Sequence, residues 1–340
     1  MTIILGIEST AHTFGIGIVK DGKILSNVKD SYTTSSGGII PTEAAKHHAK
    51  VAENIYKRAL EVAGISENIK DIEKNIDAIA FSQGPGLAPC LLEGLKFVKK
   101  LAARLKKPVV PVNHCIAHLE IGRLTGAKDP LLLYCSGANT QIIAYASGKY
   151  RIFGETLDQG IGNFIDKFAR FSGLGFPGGP KIQELAKKSS EKNYISLPYS
   201  VKGMDVAFSG MLTKLKQLLD TKKYKLEDLS FSLQETAFVM LIEASERALA
   251  HTGKKELLLG GGVACNSRLR EMAEIMCSER DALFFCPENS LLVDNAAMIA
   301  YLGEIMFNSG IKIYAKNKKS LEKLDIKPRQ RTDEVIVSWK

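Results

Sequence analysis

Apolar positions open the chain in short, strand-like runs. Ile3 to Ile7 is apolar, Phe14-Gly15-Ile16-Gly17-Ile18-Val19 alternates, and Ile24 to Val28 returns after Asp21-Gly22. This pattern predicts three strands, the last two joined through a two-residue Asp-Gly turn. The plan recurs with Leu131 to Cys135, the small-residue turn Ser136-Gly137-Ala138-Asn139, Gln141 to Tyr145, then Ser147-Gly148 and Tyr150 to Phe153. Asp21 lies 14 residues after Ile7, and Ser147 lies 13 after Tyr134. Two similar units point to an internal duplication.

Helical periodicity fills the intervals. Glu43 to Ala63 and Leu91 to Leu105 carry apolar residues at helical spacing, the second after Gly84-Pro85-Gly86. Pro108 to Val112 reads as a short buried strand, and Asn113 as the cap of a following helix. Gln234 to His251 predicts a helix, Glu256 to Leu259 a strand entering Gly260-Gly261-Gly262, and Ser290 to Met306 a closing helix. Strands alternating with helices throughout imply an α/β protein of two lobes with a cleft between them.

Composition agrees with a globular chain. Of 340 residues, 45% are hydrophobic and 24% charged, and mean hydropathy is −0.03. A chain this long buries roughly 75% of its unfolded surface, enough for two cores. No apolar run approaches the ~18 residues that a bilayer requires. The first strand begins too soon for a secretory leader. The expectation is a soluble, cytoplasmic protein without membrane association. The six cysteines, Cys90, Cys115, Cys135, Cys265, Cys277 and Cys286, form no C-x-x-C pair and read as reduced thiols. Net charge is +9, and Lys312 to Lys340 contributes nine basic against four acidic residues. Such a tail suits phosphates of a nucleic acid or is a solvated lysine-rich end; charge alone leaves both open.

The chemistry-bearing residues fall into three groups. His114 and His118 are four residues apart and share one helix face, so they can hold one divalent metal or serve as two structural histidines. Cys115 stands where a zinc protease of the H-E-x-x-H type has its general base, which disfavours that reading. Three turns of mostly small residues, Glu8-Ser9-Thr10, Ser136 to Asn139 and Gly260 to Asn266, each follow an apolar strand. Their backbone amides can cradle phosphate; each singly is a tight turn, but together they favour a nucleotide. Ser9, Thr10, Gly261 and Gly262 are the phosphate-turn candidates. Finally, Phe176-Pro177-Gly178-Gly179-Pro180 leads into a helix near Lys181, with Asp166 shortly before it. Asp294 opens a helical stretch, where spacing alone makes it a helix cap before it makes it a metal ligand.

Taken in order, these segments resemble the universal tRNA threonylcarbamoyladenosine transferase family in its archaeal and eukaryotic form, the catalytic subunit of the KEOPS complex. The resemblance rests on Gly6-Ile7-Glu8-Ser9-Thr10, Gly37-Gly38-Ile39 with Glu43-Ala44-Ala45, Gly84-Pro85-Gly86-Leu87, and Asn113-His114-Cys115-Ile116-Ala117-His118. It continues through Ser136-Gly137-Ala138-Asn139-Thr140-Gln141, Gly178-Gly179-Pro180, Phe208-Ser209-Gly210 and Gly260-Gly261-Gly262-Val263-Ala264. It closes on Asp294-Asn295-Ala296-Ala297-Met298 and Arg331-Thr332-Asp333-Glu334-Val335.

The resemblance implies the actin-like ATPase fold, shared with sugar kinases and Hsp70 chaperones. The lobes expected are 1–118, with about 295–332 packing back on it, and 119–294, leaving 333–340 as a tail. It implies one divalent metal, iron or zinc, on His114, His118 and Asp294, with Tyr134 a further ligand or near-ligand. It places an adenine nucleotide (threonylcarbamoyl-AMP, ATP or AMP) against Tyr134, Cys135, Ser136, Gly137, Ala138, Asp166, Gly179, Gln183 and Asn266. Two departures stand out: Ala138 at a position often Gly, and Gln183 at one often acidic that contacts ribose hydroxyls.

The reaction implied is acyl transfer. The exocyclic amine of the adenosine just 3′ of the anticodon, in tRNAs reading codons that begin with A, attacks threonylcarbamoyl-AMP and releases AMP. The family works with a small protein kinase, a small dimerising subunit and other KEOPS partners. Alternatives are an actin-fold ATPase or small-molecule kinase, for which no catalytic acid is assignable, and a non-catalytic supporting subunit, which the histidines and Asp294 disfavour.

Overall fold

A computed structural model of the chain describes residues 1–34, 38–313 and 318–340. Gly37 of the Gly37-Gly38-Ile39 segment and Lys316 of the basic tail lie outside the described residues. In chain order the strands are β1 (Ile3–Glu8), β2 (Thr13–Lys20), β3 (Lys23–Ser31), β4 (Ala78–Gly84), β5 (Val109–Asn113), β6 (Leu131–Cys135) and β7 (Thr140–Ala146). They continue with β8 (Lys149–Glu155), the short pair β9 (Val201–Lys202) and β10 (Asp205–Val206), then β11 (Glu256–Gly260) and β12 (Leu283–Phe285). The helices are α1 (Pro41–Val62), α2 (Ile69–Asn75), α3 (Ala88–Leu105), α4 (His114–Gly122), α5 (Ile161–Phe171) and α6 (Gly179–Ala186). After them come α7 (Ser209–Asp220), α8 (Leu226–Thr252), α9 (Ser267–Glu279), α10 (Asn289–Leu292), α11 (Ala296–Asn308) and α12 (Lys318–Glu322).

The chain divides into two compact units, one of Met1–Tyr32, Ile39–Ile121 and Asp294–Lys340, the other of Thr33–Gly38 and Gly122–Val293. Each contains a five-stranded sheet, in the orders β3-β2-β1-β4-β5 and β12-β11-β6-β7-β8. The second order reversed is the first, strand for strand: two antiparallel pairings (β1·β2·β3; β6·β7·β8) followed by two parallel ones (β1·β4·β5; β6·β11·β12). The duplication predicted from two hairpins therefore extends across both whole sheets. Asp21 and Ser147 open the two hairpin turns with φ of 46° and 51°, the left-handed geometry that matches strand twist.

Each unit has its own apolar core. In the first, Leu5, Ile7, Phe14, Ile16, Ile18, Ile79 and Phe81 of the sheet pack with Ile55, Leu60, Val98 and Leu101 of α1 and α3. In the second, Leu133, Leu257 and Leu259 pack with Phe164, Phe168, Phe238 and Leu241. The other face of the first sheet meets α11, whose buried residues run all round it: Ala296, Ala297, Ile299, Ala300 and Leu302. Small residues let the two backbones approach. A Cβ on Gly6 would stand 2.6 Å from Ala296 O, and one on Gly17 2.5 Å from Ala297 N. That contact fixes where the residue just before α11 lies.

The structure departs from the sequence reading at this point. The single helix predicted over Ser290 to Met306 is two, α10 and α11, separated by extended backbone at Val293 (φ −76°, ψ 166°) and Asn295 (φ −151°, ψ 153°). The cap of α11 is Asn295, whose Oδ1 accepts from Met298 N at 3.0 Å. Asp294 is thereby released from the capping role that the spacing favoured. Asp294 also belongs to the first unit. Helix α8 starts at Leu226, earlier than the predicted Gln234. Helix α5 was not predicted, although Ile161, Phe164, Ile165 and Phe168 form a clear 3.6-residue stripe.

Candidate metal centre and substrate-contact residues

Strand β5 runs directly into α4, and Asn113 between them caps the helix as predicted, its Oδ1 accepting from Ile116 N at 3.1 Å. His114 and His118 therefore sit one turn apart on one face, ring centroids 4.8 Å apart and nearly perpendicular. Both are buried. The α11 packing delivers Asp294 opposite them: its Oδ1 lies 3.4 Å from His114 Nε2 and 3.7 Å from His118 Nε2. One donor atom from each of the three lies within 4.8 Å of the others. Ligands on a tetrahedral ion at ~2.0–2.1 Å are themselves separated by roughly 3.4 Å, so little movement is needed to close on one.

The surroundings prepare this donor set. Glu8, fully buried at the end of β1, places Oε2 3.0 Å from His114 Nδ1 and accepts Thr10 N on Oε1 at 2.7 Å. A carboxylate on the far nitrogen of a ligating imidazole fixes its tautomer and leaves the near nitrogen as the donor. Burial opposes a charge on His114, but Glu8 and Asp294 outweigh it and hold its imidazole well above the ordinary range. Burial prevails at His118 and keeps that imidazole below its ordinary range. At Asp294, burial is overcome by the two facing imidazoles of His114 and His118, and the carboxyl stays well below the usual carboxylate range. A neutral imidazole, an imidazole oriented by carboxylate and an ionised carboxylate fit a divalent transition metal.

Glu8 is the residue beside this donor set that spacing does not single out, although it belongs to the Glu8-Ser9-Thr10 turn. An isolated carboxylate ending an otherwise apolar strand was the available signal. The amides of that turn are engaged: Ser9 N donates to Ser82 Oγ at 3.1 Å, and Thr10 N donates to Glu8. The backbone amides of Ser9 and Thr10 are therefore already committed within the first unit.

The remaining candidates belong to the second unit. Tyr134 and Cys135 end β6, both buried, and burial pushes the Cys135 thiol strongly up, leaving it neutral. The Ser136–Asn139 turn closes on itself through Ser136 N to Asn139 O at 2.9 Å. The first amides of α5 dock on it, Gly162 N to Ser136 O at 3.0 Å and Asn163 N to Gly137 O at 2.9 Å. Ala138 is not among the residues with left-handed φ, so the alanine fits where the family often has glycine. Gly261 does need to be glycine: φ is +85°, and a Cβ would stand 2.6 Å from the Cys135 carbonyl carbon. The Gly261-Gly262 turn is thus pressed against the end of β6.

Asp166 Oδ1 accepts from Gly178 N at 2.7 Å, tying the Phe176–Pro180 loop to α5. Beside Gly179, the first residue of α6, there is open space. Gln183 Nε2 donates to Ser267 Oγ at 3.1 Å. Asn266 is committed at both ends, Oδ1 to Arg268 N at 2.9 Å as cap of α9 and Nδ2 to Gln234 Oε1 at 2.8 Å. Gln183, Gln234, Glu235, Ser267 and Arg268 line a cavity of about 370 Å³.

Two copies of one five-stranded α/β unit give the chain the architecture of the actin-like ATPase fold class. Solved structures share the fold. HypF from T. kodakarensis matches with a TM-score of 0.60 at 14% identity, over 91% of this chain and 48% of that one. The activator of the 2-hydroxyisocaproyl-CoA dehydratase from Clostridium difficile, with bound ADPNP, matches with a TM-score of 0.53 at 11% identity, over 92% and 98%. Within that class the chain belongs to the tRNA N6-adenosine threonylcarbamoyltransferase family, whose family model matches residues 23–301. Curated members of that name are 55% identical in Thermococcus sibiricus, over 99% of this chain and 100% of the relative, and 53% identical in Thermococcus kodakarensis, over 99% of each. A probable bifunctional tRNA threonylcarbamoyladenosine biosynthesis protein of Methanosarcina barkeri is 51% identical over 99% of this chain, which spans 60% of that longer protein.

Proposed function

We propose that this protein transfers the threonylcarbamoyl group from threonylcarbamoyl-AMP to the exocyclic N6 of the adenosine just 3′ of the anticodon, in tRNAs reading codons that begin with A. The observation that carries the reading is the convergence of His114, His118 and Asp294 in a chain matched end to end by relatives of that name. In the step itself, N6 attacks the carbamoyl carbon, the new N–C bond forms, the bond to the AMP phosphate oxygen breaks, and the amine loses a proton. AMP leaves.

His114, His118 and Asp294 would hold one divalent ion, iron or zinc, with Tyr134 as a further contact. Such an ion supplies Lewis-acid polarisation of substrate oxygens. The protein's own contribution is orientation. Glu8 fixes the His114 ring, and Asn295 keeps the Asp294 carboxylate out of the helix. In the second unit, the open face at Gly179 and the cavity beside Gln183 suit the nucleoside. An amide at 183 donates to or accepts from a ribose hydroxyl, weakening that contact without removing it. The Ser136–Ala138 and Gly261–Gly262 turns suit the phosphate, and much of the acceleration comes from such positioning.

The tRNA presents phosphates and a single-stranded loop with an accessible base, and the net charge of +9 suits the former. Partners in this reading are the small kinase, the small dimerising subunit and the other KEOPS proteins, in the cytoplasm; among the described residues no helix is long and apolar enough to cross a membrane. The test supplies the purified chain with threonylcarbamoyl-AMP, an ANN-decoding tRNA transcript and those subunits, and counts modified nucleoside by mass spectrometry. Transfer is expected, with a loss of at least about 100-fold in His114→Ala and in His118→Ala, the scale seen when metal sites are disturbed. No product, with nucleotide binding retained, would transfer the reading to an ATPase or a supporting subunit.

A further inference from the structure

The C-terminal segment beyond α12 runs along the metal-bearing end of the first unit and touches both ends of α4. It follows Leu321 of α12 and begins near Leu324, both buried in the core of that unit. Three backbone or side-chain bonds pin its course: Gln83 Nε2 to Asp325 O at 2.8 Å, Lys327 N to Gln83 O at 2.8 Å, and Gly86 N to Pro328 O at 3.1 Å. Gln330 then reaches Asn113, accepting its Nδ2 on Oε1 at 3.2 Å. Further on, Thr332 and Val337 are buried, and Trp339 Nε1 donates to Glu120 Oε1 at 3.4 Å near the far end of the helix.

Asn113 is the hinge of this arrangement. Its carboxamide has one acceptor and one donor end, and the two must face the right way. The Oδ1 end caps α4 at Ile116 N, two residues past His114, where the histidine face starts. The Nδ2 end meets Gln330. With that oxygen in place, a flipped carboxamide would set NH₂ against the Ile116 amide and leave the Gln330 oxygen facing an oxygen. Gln330 thus selects the capping orientation, and the cap fixes the first turn of the helix on which His114 stands. A shift there changes the 3.4 Å and 3.7 Å separations from Asp294.

We propose that residues 325–339 form a strap that positions the metal helix, with Gln330 as a positioning residue acting through Asn113 on His114 and His118. Gln330 touches no donor atom of the metal group itself. The inference rests on the metal reading of that group, and the strap sets how well the group is formed before any ion arrives.

The test titrates the metal-free full-length chain with cobalt(II) alone, following visible absorption, for wild type, Gln330→Leu and Gln330→Glu. Leucine removes the acceptor at similar volume, while glutamate keeps it. The expected result is cobalt affinity about tenfold weaker in Gln330→Leu, the lower end for groups that orient ligands, and within about twofold of wild type in Gln330→Glu. Hydrogen exchange on the same metal-free proteins should show the Ile116 amide opening faster in Gln330→Leu, with core amides of β1 unchanged. Equal cobalt affinity in Gln330→Leu and wild type overturns the strap, as does an equal loss in the Leu and Glu variants. A wild-type chain that takes up no cobalt overturns the metal reading itself, and the inference with it.

Discussion

Asp294 shows how one side chain is set by its neighbours. Its carboxyl lies well below the usual range because the imidazoles of His114 and His118, 3.4 and 3.7 Å away, outweigh the cost of burial. Replacing it by asparagine keeps the shape and removes the charge, so Asp294→Asn should lower zinc affinity by at least about 100-fold, read by competition with a chelator. Glu8→Gln tests the layer behind. Gln can still accept from His114 Nδ1 but brings no charge, and zinc affinity should fall about 10- to 100-fold while the fold persists. Gly261→Ala addresses backbone rather than chemistry. With φ at +85° and the Cys135 carbonyl in the way, it should destabilise the chain by about 2 kcal/mol or more, measured by urea unfolding.

At the scale of elements, the break between α10 and α11 matters most. Apolar periodicity runs through Ser290 to Met306, so pattern reading joins the two helices. The side-chain bond from Asn295 to Met298 N separates them, because an N-cap competes with helix continuation. Asn295→Ala should cost about 1–2 kcal/mol of stability, visible as a lower urea midpoint at unchanged m-value. It should also weaken metal binding, although Asn295 is not a ligand, because the backbone that aims Asp294 loosens. Helix α4 was legible: Asn113, His114 and His118 read correctly as cap and shared face, since both depend on local spacing.

At the scale of the whole molecule, stability carries a pH dependence that the sequence does not announce. His48 is fully buried, and burial, more than its neighbours His47 and His12, lowers its pKa from 6.5 to about 4. The unfolded chain takes up a proton there that the folded chain refuses. Stability from this group is therefore complete above pH 6.5 and is lost as pH falls towards 4, in all about 3 kcal/mol. His48→Gln should flatten the slope of unfolding free energy between pH 6.5 and 4. Binding of tRNA is a property of the whole surface charge, and its affinity should fall linearly on a log–log plot against salt between low and high ionic strength.

The sequence by itself determined the α/β alternation, the duplicated hairpins, the histidine pair and the family, because each is written in local spacing or in ordered motifs. Spacing alone made Asp294 a helix cap, and only the resemblance set it beside the histidines; neither determined that Glu8 stands behind His114, or that the amides of Ser9 and Thr10 are occupied. Spacing also gave Asn266 no sign of its double commitment to α9 and Gln234. These outcomes depend on which residues far apart in the chain become neighbours: Gly6 and Gly17 admitting α11, β1 ending beside α4, α8 lying against α9. A side chain's role follows from its partners and burial, and both are decided only when the sheets and helices have packed.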